Sequence, residues 1–83
     1  IVNRVVPAAE LGAATDALVR TLATGPVLAL RNAKRLVRES MARTLSEQLQ
    51  AEAASFGACP ATADFVEGVT AFLAKRLPQF GRD

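Results

Sequence analysis

The 83-residue sequence contains no histidine, no tryptophan and no tyrosine, and it has a single cysteine. Without histidine, no serine–histidine or cysteine–histidine pair can form to activate a nucleophile, and the commonest metal ligand is missing. The lone Cys59 excludes an internal disulfide and any multi-cysteine metal site. We interpret Cys59 as a small, apolar-like residue in a loop rather than as a reactive thiol.

The acidic residues do not form a catalytic pattern either. Most of them fall on predicted solvent faces or at helix starts, where carboxylates complement the helix dipole. No carboxylate is predicted to lie in an apolar environment that would raise its pKa for proton transfer, and no glycine-rich loop could hold a phosphate. The sequence therefore predicts that this chain alone is not an enzyme, with no catalytic residue and no metal site.

Long apolar runs are missing, although 51% of the residues are hydrophobic. No run approaches the ~20 residues that span a bilayer, and no signal peptide is visible. These features favour a cytoplasmic protein with no membrane contact. Much of the hydrophobic fraction is alanine, and the four phenylalanines all lie in the last third. We expect a marginal helical unit that depends on another polypeptide segment for stability.

The first six residues predict a short strand. Ile1 to Val6 is rich in β-branched residues, alternates loosely, and is ended by Pro7. A lone strand is not stable without a partner, and nothing later in the sequence supplies one. Because the chain also starts inside this strand, we interpret it as a fragment or a processed chain whose main body is missing.

Four helices are predicted after the strand, so the expected fold class is mainly α. They run over about Ala8 to Leu22, Pro26 to Met41, Thr44 to Gly57, and Thr62 to Leu77. Gly25 suits a left-handed cap after the first helix, and Pro26 suits the first turn of the second. The spacing of Thr44 and Glu47 predicts a capping box at the third helix.

Each helix has an apolar stripe at helical spacing. We expect the stripe of the second helix to be buried. The predicted stripes are Leu11, Ala14, Leu18 and Leu22 on the first helix; Val27, Leu30, Val37 and Met41 on the second; Leu45, Leu49 and Phe56 on the third; and Phe65, Val69, Phe72 and Leu73 on the fourth. Taken alone, such stripes are most often core residues.

A basic cluster lies on the second helix: Arg31, Lys34, Arg35 and Arg38. It could meet the phosphates of a nucleic acid or of a nucleotide. The alternative is a solvated face, or salt bridges to a neighbouring subunit, and we favour it because no aromatic residue nearby could stack on bases.

The last helix carries the most informative pattern. Gly68 in its interior costs about 1 kcal/mol relative to alanine, which suggests close approach by another backbone or a ligand. Lys75 and Arg76 near its end complement the helix dipole. Alternatively, a flexible ammonium beside an aromatic plane suits a nucleotide, because the ring stacks or packs while the charge meets phosphate.

Three segments resemble the enoyl-CoA hydratase/isomerase (crotonase) family. Ile1 to Pro7 (IVNRVVP) is similar to the family's closing strand, and Thr24 to Arg35 (TGPVLALRNAKR) to a family helix that begins Gly-Pro and carries a lysine. Asp64 to Phe80 (DFVEGVTAFLAKRLPQF) matches the C-terminal family motif in order and spacing. One departure is Ala74, which stands where many members carry an acid.

The resemblance implies a division of the chain. Residues 1–7 would be the closing strand of a ββα spiral core that is absent from this chain, and residues 8–83 a C-terminal helical oligomerisation segment. In the family this part supports homotrimers, which pair into hexamers. The catalytic carboxylates and the oxyanion-binding amides belong to the core and have no counterpart in this sequence.

The resemblance also implies the ligand and the contacts. The substrate would be an acyl-CoA thioester of fatty acid metabolism, so coenzyme A enters as part of the substrate and no prosthetic group is expected. Phe72 and Lys75 would contact the CoA moiety, and Phe56 the acyl pocket. The reaction would be hydration of a 2-enoyl-CoA or double-bond isomerisation. The alternatives are an autonomous helical module that binds nucleic acid through the basic cluster, and an oligomerisation segment without ligand contact.

Overall fold

The computed structural model describes residues 2–81 and shows four α-helices joined by short turns. The helices are α1 (Leu11–Ala23), α2 (Val27–Glu39), α3 (Leu45–Ala58) and α4 (Ala63–Leu73). Three 3-10 turns precede α1, α3 and α4: Ala8–Glu10, Ser40–Ala42 and Cys59–Ala61. The prediction of a mainly helical chain with four helices is confirmed.

The predicted N-terminal strand is not shown in the described residues. No strand is present between residues 2 and 81, and residues 2–7 run without regular structure into the first 3-10 turn. Ile1, the first residue of the predicted strand, lies outside the described residues. The physical reason is that a strand is defined by its hydrogen-bonded ladder, and this chain supplies no second strand for one.

Two helices begin at threonine caps. At α3 the Thr44 hydroxyl accepts a hydrogen bond from the Glu47 amide (3.3 Å), and the Glu47 carboxylate accepts one from the Thr44 amide (2.7 Å). The predicted capping box is therefore confirmed. At α4 the Thr62 hydroxyl accepts from the Phe65 amide (3.1 Å) and donates to the Cys59 carbonyl (2.7 Å), which fixes the entry into the last helix.

Acid is expected to weaken the start of α3. The backbone amide and then the hydroxyl of Thr44 donate to the Glu47 carboxylate and hold its pKa below the ordinary value of 4.5. A lowered pKa in the folded state stabilises above pH 4.5, and this contribution is lost as pH falls through the folded-state pKa. Circular dichroism against pH, on an enzyme subunit that contains this segment, measures it. Glu47→Gln should remove that part of the acid transition, and an unchanged transition would contradict the assignment.

The turn between α1 and α2 differs from the prediction. Gly25 does not have the positive φ of a left-handed cap; among residues 2–81 the only glycine with positive φ is Gly81. Gly25 instead sits where space is tight, so a larger residue would require Leu30 to shift. A β-carbon there would lie 2.9 Å from Leu30 Cδ1 and 3.3 Å from the Thr21 carbonyl oxygen. Pro26 is the residue before α2, which begins at Val27.

The helices do not enclose a core of large side chains. Within residues 2–81 the buried residues are Ala71, Ser55 and Asp64, none of them a large apolar residue. The radius of gyration is 16.0 Å, against about 12 Å for a compact domain of this length. The accessible surface is 6910 Å², roughly 2,000 Å² more than a compact monomer of this mass exposes. The chain is therefore an open arrangement of helices.

Apolar stripes that the sequence predicts as core are exposed in this chain. The expectation that the α2 stripe is buried is wrong: Val37 is 73% and Met41 94% exposed, with Val27 and Leu30 at 49% and 36%. The stripes of α1 and α3 are also open, with Leu18 at 60% and Leu49 at 56% exposed. The stripes lie on helices as predicted, but the surface that would cover them is not in the described part of the chain.

Candidate functional site

The last helix ends in a turn that the sequence did not predict. α4 stops at Leu73, four residues before the predicted end. The Arg76 amide donates to the Ala71 carbonyl (3.0 Å) and the Lys75 amide to the Phe72 carbonyl (3.1 Å), which is the hydrogen-bond pattern of a Schellman cap. Lys75 and Arg76 therefore lie beyond the helix, and this cap ends it rather than Pro78.

Lys75 occupies the left-handed position of the cap. Its φ of 52° is the only positive value among the non-glycine residues of the described chain. A side chain at this conformation costs about 1 kcal/mol relative to glycine. Such a residue persists only where its surroundings hold it, so the contacts on either side of Lys75 determine the direction in which its side chain leaves the backbone.

After Lys75 the chain folds back along α4 and is held by Glu67. The Arg76 guanidinium donates to both carboxylate oxygens of Glu67, at 2.6 and 2.9 Å, and the Gln79 amide donates to the same carboxylate at 2.7 Å. The hydrogen bond with Glu67 raises the pKa of Arg76 above its ordinary value. A bidentate pair of this kind defines orientation as well as distance.

The tail continues toward the start of α4. The Phe80 ring lies over Gly68, with ring atoms 3.5 and 3.8 Å from where a β-carbon would stand. The Gly81 amide donates to a carboxylate oxygen of the buried Asp64 (2.9 Å). The group that approaches Gly68 is thus an aromatic ring of the same chain. At these distances a β-carbon would make ordinary contact.

Phe72 and Lys75 lie together at the carboxyl end of α4. They are joined through the cap, since the Phe72 carbonyl accepts the hydrogen bond from the Lys75 amide. Both side chains are exposed, Phe72 to 82%. The structure therefore places an exposed aromatic side chain and an exposed ammonium three positions apart at one hydrogen-bonded turn, and these groups can pack on a planar base and pair with phosphate.

Phe56 belongs to a different site. It is 69% exposed near the end of α3 and lines an open, mainly apolar pocket of about 390 Å³ between α2, α3, α4 and the tail. Phe65, Val69 and Phe80 form part of the same wall. Neither Phe72 nor Lys75 lines this pocket. No sequence pattern predicted this pocket, because its wall combines residues from four separate segments.

The basic cluster of α2 forms as predicted. Arg31, Lys34, Arg35 and Arg38 line one shallow depression together with Leu28 and Asn32. Between residues 2 and 81 none of these four cations forms a salt bridge, and the neighbouring Glu39 is paired with Arg43. The depression has no aromatic residue in its lining, so it offers no platform for stacking bases.

Residues 2–81 offer neither a metal site nor a membrane span. Residues 2–81 contain no group of three or more acidic or cysteine side chains placed to hold a metal ion. In the same range, no helix combines the length and the apolar character needed to cross a bilayer.

Comparison with known proteins identifies the family. The profile of the enoyl-CoA hydratase/isomerase family matches residues 1–83. The chain belongs to this family. Its curated relatives include a probable enoyl-CoA hydratase of Mycobacterium bovis, 40% identical over 80 residues, and a crotonyl-CoA hydratase of Syntrophomonas wolfei, 36% identical over 80 residues. Each alignment covers 96% of this chain and 31% of the relative.

A solved family structure has the same fold over this region. The crystal structure of enoyl-CoA hydratase subunit I of Geobacillus kaustophilus matches with a TM-score of 0.88 and 41% identity. The match covers all of this chain and 32% of the solved one. The chain thus spans about a third of the length of its crotonase relatives and corresponds to the C-terminal part of the crotonase fold. The open arrangement of the helices matches the arrangement of the same region in that solved chain.

Proposed function

We propose that this chain serves an enzyme that acts on acyl-CoA thioesters, by supporting trimer assembly and forming one edge of the CoA site. The family acts on CoA thioesters without a prosthetic group, so coenzyme A enters as part of the substrate. The favoured reaction is hydration of a 2-enoyl-CoA, because the relatives are named for it. The thioester oxyanion would be stabilised by backbone amides outside this chain.

The observation that carries the CoA contact is the pairing of Phe72 and Lys75 at the end of α4. Coenzyme A presents a planar adenine and several phosphates, so it needs an apolar plane and a cation at a short separation. The Phe72 ring is 82% exposed, and Lys75 leaves a turn whose backbone is held on both sides. Phe72 would pack on the nucleotide, and Lys75 would pair with a phosphate.

Phe56 is proposed for the acyl end of the substrate. It lines the open apolar pocket between α2, α3 and α4, and an apolar wall of this kind suits an alkyl chain. Because Phe72 and Lys75 do not line the pocket, we assign the two ends of the substrate to separate surfaces of this chain.

The assembly role rests on the exposed apolar stripes. The surplus of roughly 2,000 Å² over a compact monomer is of the size that stable protein interfaces bury. The ββα core and the neighbouring subunits of a homotrimer or hexamer would cover these stripes. An autonomous nucleic-acid-binding module would need a closed core, which residues 2–81 do not form.

A chimera tests the proposal. Residues 1–83 replace the matching C-terminal third of the Geobacillus kaustophilus enzyme, and hydration of crotonyl-CoA is measured. We expect turnover, and Phe72→Ala should raise KM about tenfold, because stacking on one base contributes ~1–3 kcal/mol. Val66→Ala, which also truncates an exposed apolar side chain of α4 but lies outside the predicted stripes, is the control. An inactive but folded chimera would contradict the function, and an unchanged KM would remove Phe72 from the site.

A further inference from the structure

We infer that Glu67 is a positioning residue for Lys75, holding the turn that aims the ammonium at the ligand phosphate. This inference rests on the proposed contact between Lys75 and coenzyme A. The inference goes further, because it assigns a binding role to an acidic residue at a site for a polyanion. The negative charge of Glu67 by itself would weaken the binding of phosphates.

The backbone of Lys75 is held from the helix side by the Schellman cap. Its own amide bonds to the Phe72 carbonyl, and the next amide bonds to the Ala71 carbonyl. These bonds alone define a turn that glycine would adopt more readily than lysine. A lysine therefore needs a second restraint to remain in the left-handed conformation, and the structure shows one on the other side.

Glu67 supplies the second restraint. Its carboxylate binds the Arg76 guanidinium through both oxygens and the Gln79 amide through one of them. The Glu67 side chain is only 12% exposed, whereas that of Arg76 is 44% exposed. The acid is therefore shielded and oriented on the helix, and it holds the segment that follows Lys75. Because Arg76 is the next residue, any loosening of this pair is passed directly to the Lys75 backbone.

The two possible roles of Glu67 predict opposite changes in the affinity for the ligand when its charge is removed. If Glu67 acted on the ligand only through its charge, replacing it with a neutral residue would remove repulsion from the phosphates and free Arg76 to attract them, so binding would tighten. If Glu67 positions Lys75, the same replacement weakens binding, because the ammonium loses its direction.

The test is a double-mutant cycle in the chimera. Glu67→Gln is nearly isosteric and removes the charge that holds Arg76. We expect it to raise KM for crotonyl-CoA about threefold with kcat unchanged, a loss smaller than that from removing the ammonium altogether. In a Lys75→Ala background the same change should leave KM unaltered. Amide hydrogen exchange at Lys75 and Arg76 should also become faster in Glu67→Gln. Glu10→Gln, at an exposed acid before α1, is the matched control.

Each result of this experiment has one interpretation. A lower KM in Glu67→Gln overturns the inference in favour of simple repulsion. An equal rise in both backgrounds also overturns it, because Glu67 would then act independently of Lys75. If Lys75→Ala alone leaves KM unchanged, the proposed CoA contact fails, and that result is read from a different variant. Faster exchange with no change in KM shows that the clamp exists but does not serve binding, which contradicts the inference.

Discussion

Lys75→Ala is expected to raise KM for crotonyl-CoA about tenfold or more in the chimera, with little change in kcat. A hydrogen bond to a charged group contributes about 1.5–3 kcal/mol, and we take the lower end because Lys75 is exposed to solvent. The ammonium would meet a phosphate far from the thioester, so binding suffers more than chemistry. The loss should shrink as salt is added, because salt screens the pair that the mutation removes.

Two further variants complete this test. The first separates the charge of Lys75 from its backbone conformation in the cap, and the second removes a lysine at a different surface. Lys75→Gly removes the ammonium but adopts a φ of 52° readily, so it should match alanine in KM while unfolding at higher urea. Lys34→Ala removes the only other lysine, which lies in the basic cluster of α2, and should leave KM unchanged if that cluster is a solvated face. An unchanged KM in Lys75→Ala would leave this segment without its phosphate contact.

Leu18→Asp is expected to prevent stable assembly of the chimera. Leu18 is 60% exposed in this chain and lines an open groove between α1 and the N-terminal residues. If the rest of the enzyme covers this groove, the mutation loses the burial of a leucine and places a carboxylate in an apolar contact. Together these effects cost about 3–5 kcal/mol, which is a large share of the stability of an ordinary domain. Size-exclusion chromatography and urea unfolding measure the result.

The matched control places the same side chain elsewhere on α1. Ala13 is exposed and does not line the groove, so Ala13→Asp introduces an aspartate into the same helix at a small cost in helix propensity. It should assemble normally. If Leu18→Asp and Ala13→Asp behave alike and both assemble, the groove remains open to solvent and the assembly role assigned to α1 is wrong.

The helix starts were predictable because their determinants are local. The capping box of Thr44 and Glu47 uses two residues three positions apart, and the structure contains it. The end of α4 was not predictable in the same way. Lysine seldom takes the left-handed conformation, so nothing local marks Lys75 as the turn. The tail contacts that accompany the turn join residues nine to 17 positions apart.

The salt bridge between Glu67 and Arg76 is also a contact that local sequence patterns do not predict. Both residues are visible in the sequence, but a helix relates only neighbours three or four positions apart. Their contact exists because the chain reverses after Lys75. A proline two residues beyond Arg76 is the one local signal that the helix must end nearby.

The sequence by itself determined the helical class, the caps, the apolar stripes and the family, because these depend on short-range spacing and on the order of residues along the chain. Tertiary structure alone decided that the stripes stay exposed and that Phe56 lies apart from Phe72 and Lys75. It also decided that Glu67 holds the turn behind Lys75. The physical reason is that the burial and the direction of a side chain depend on contacts made only in the folded protein. An apolar stripe has the same residue spacing whether or not the surface that covers it is present.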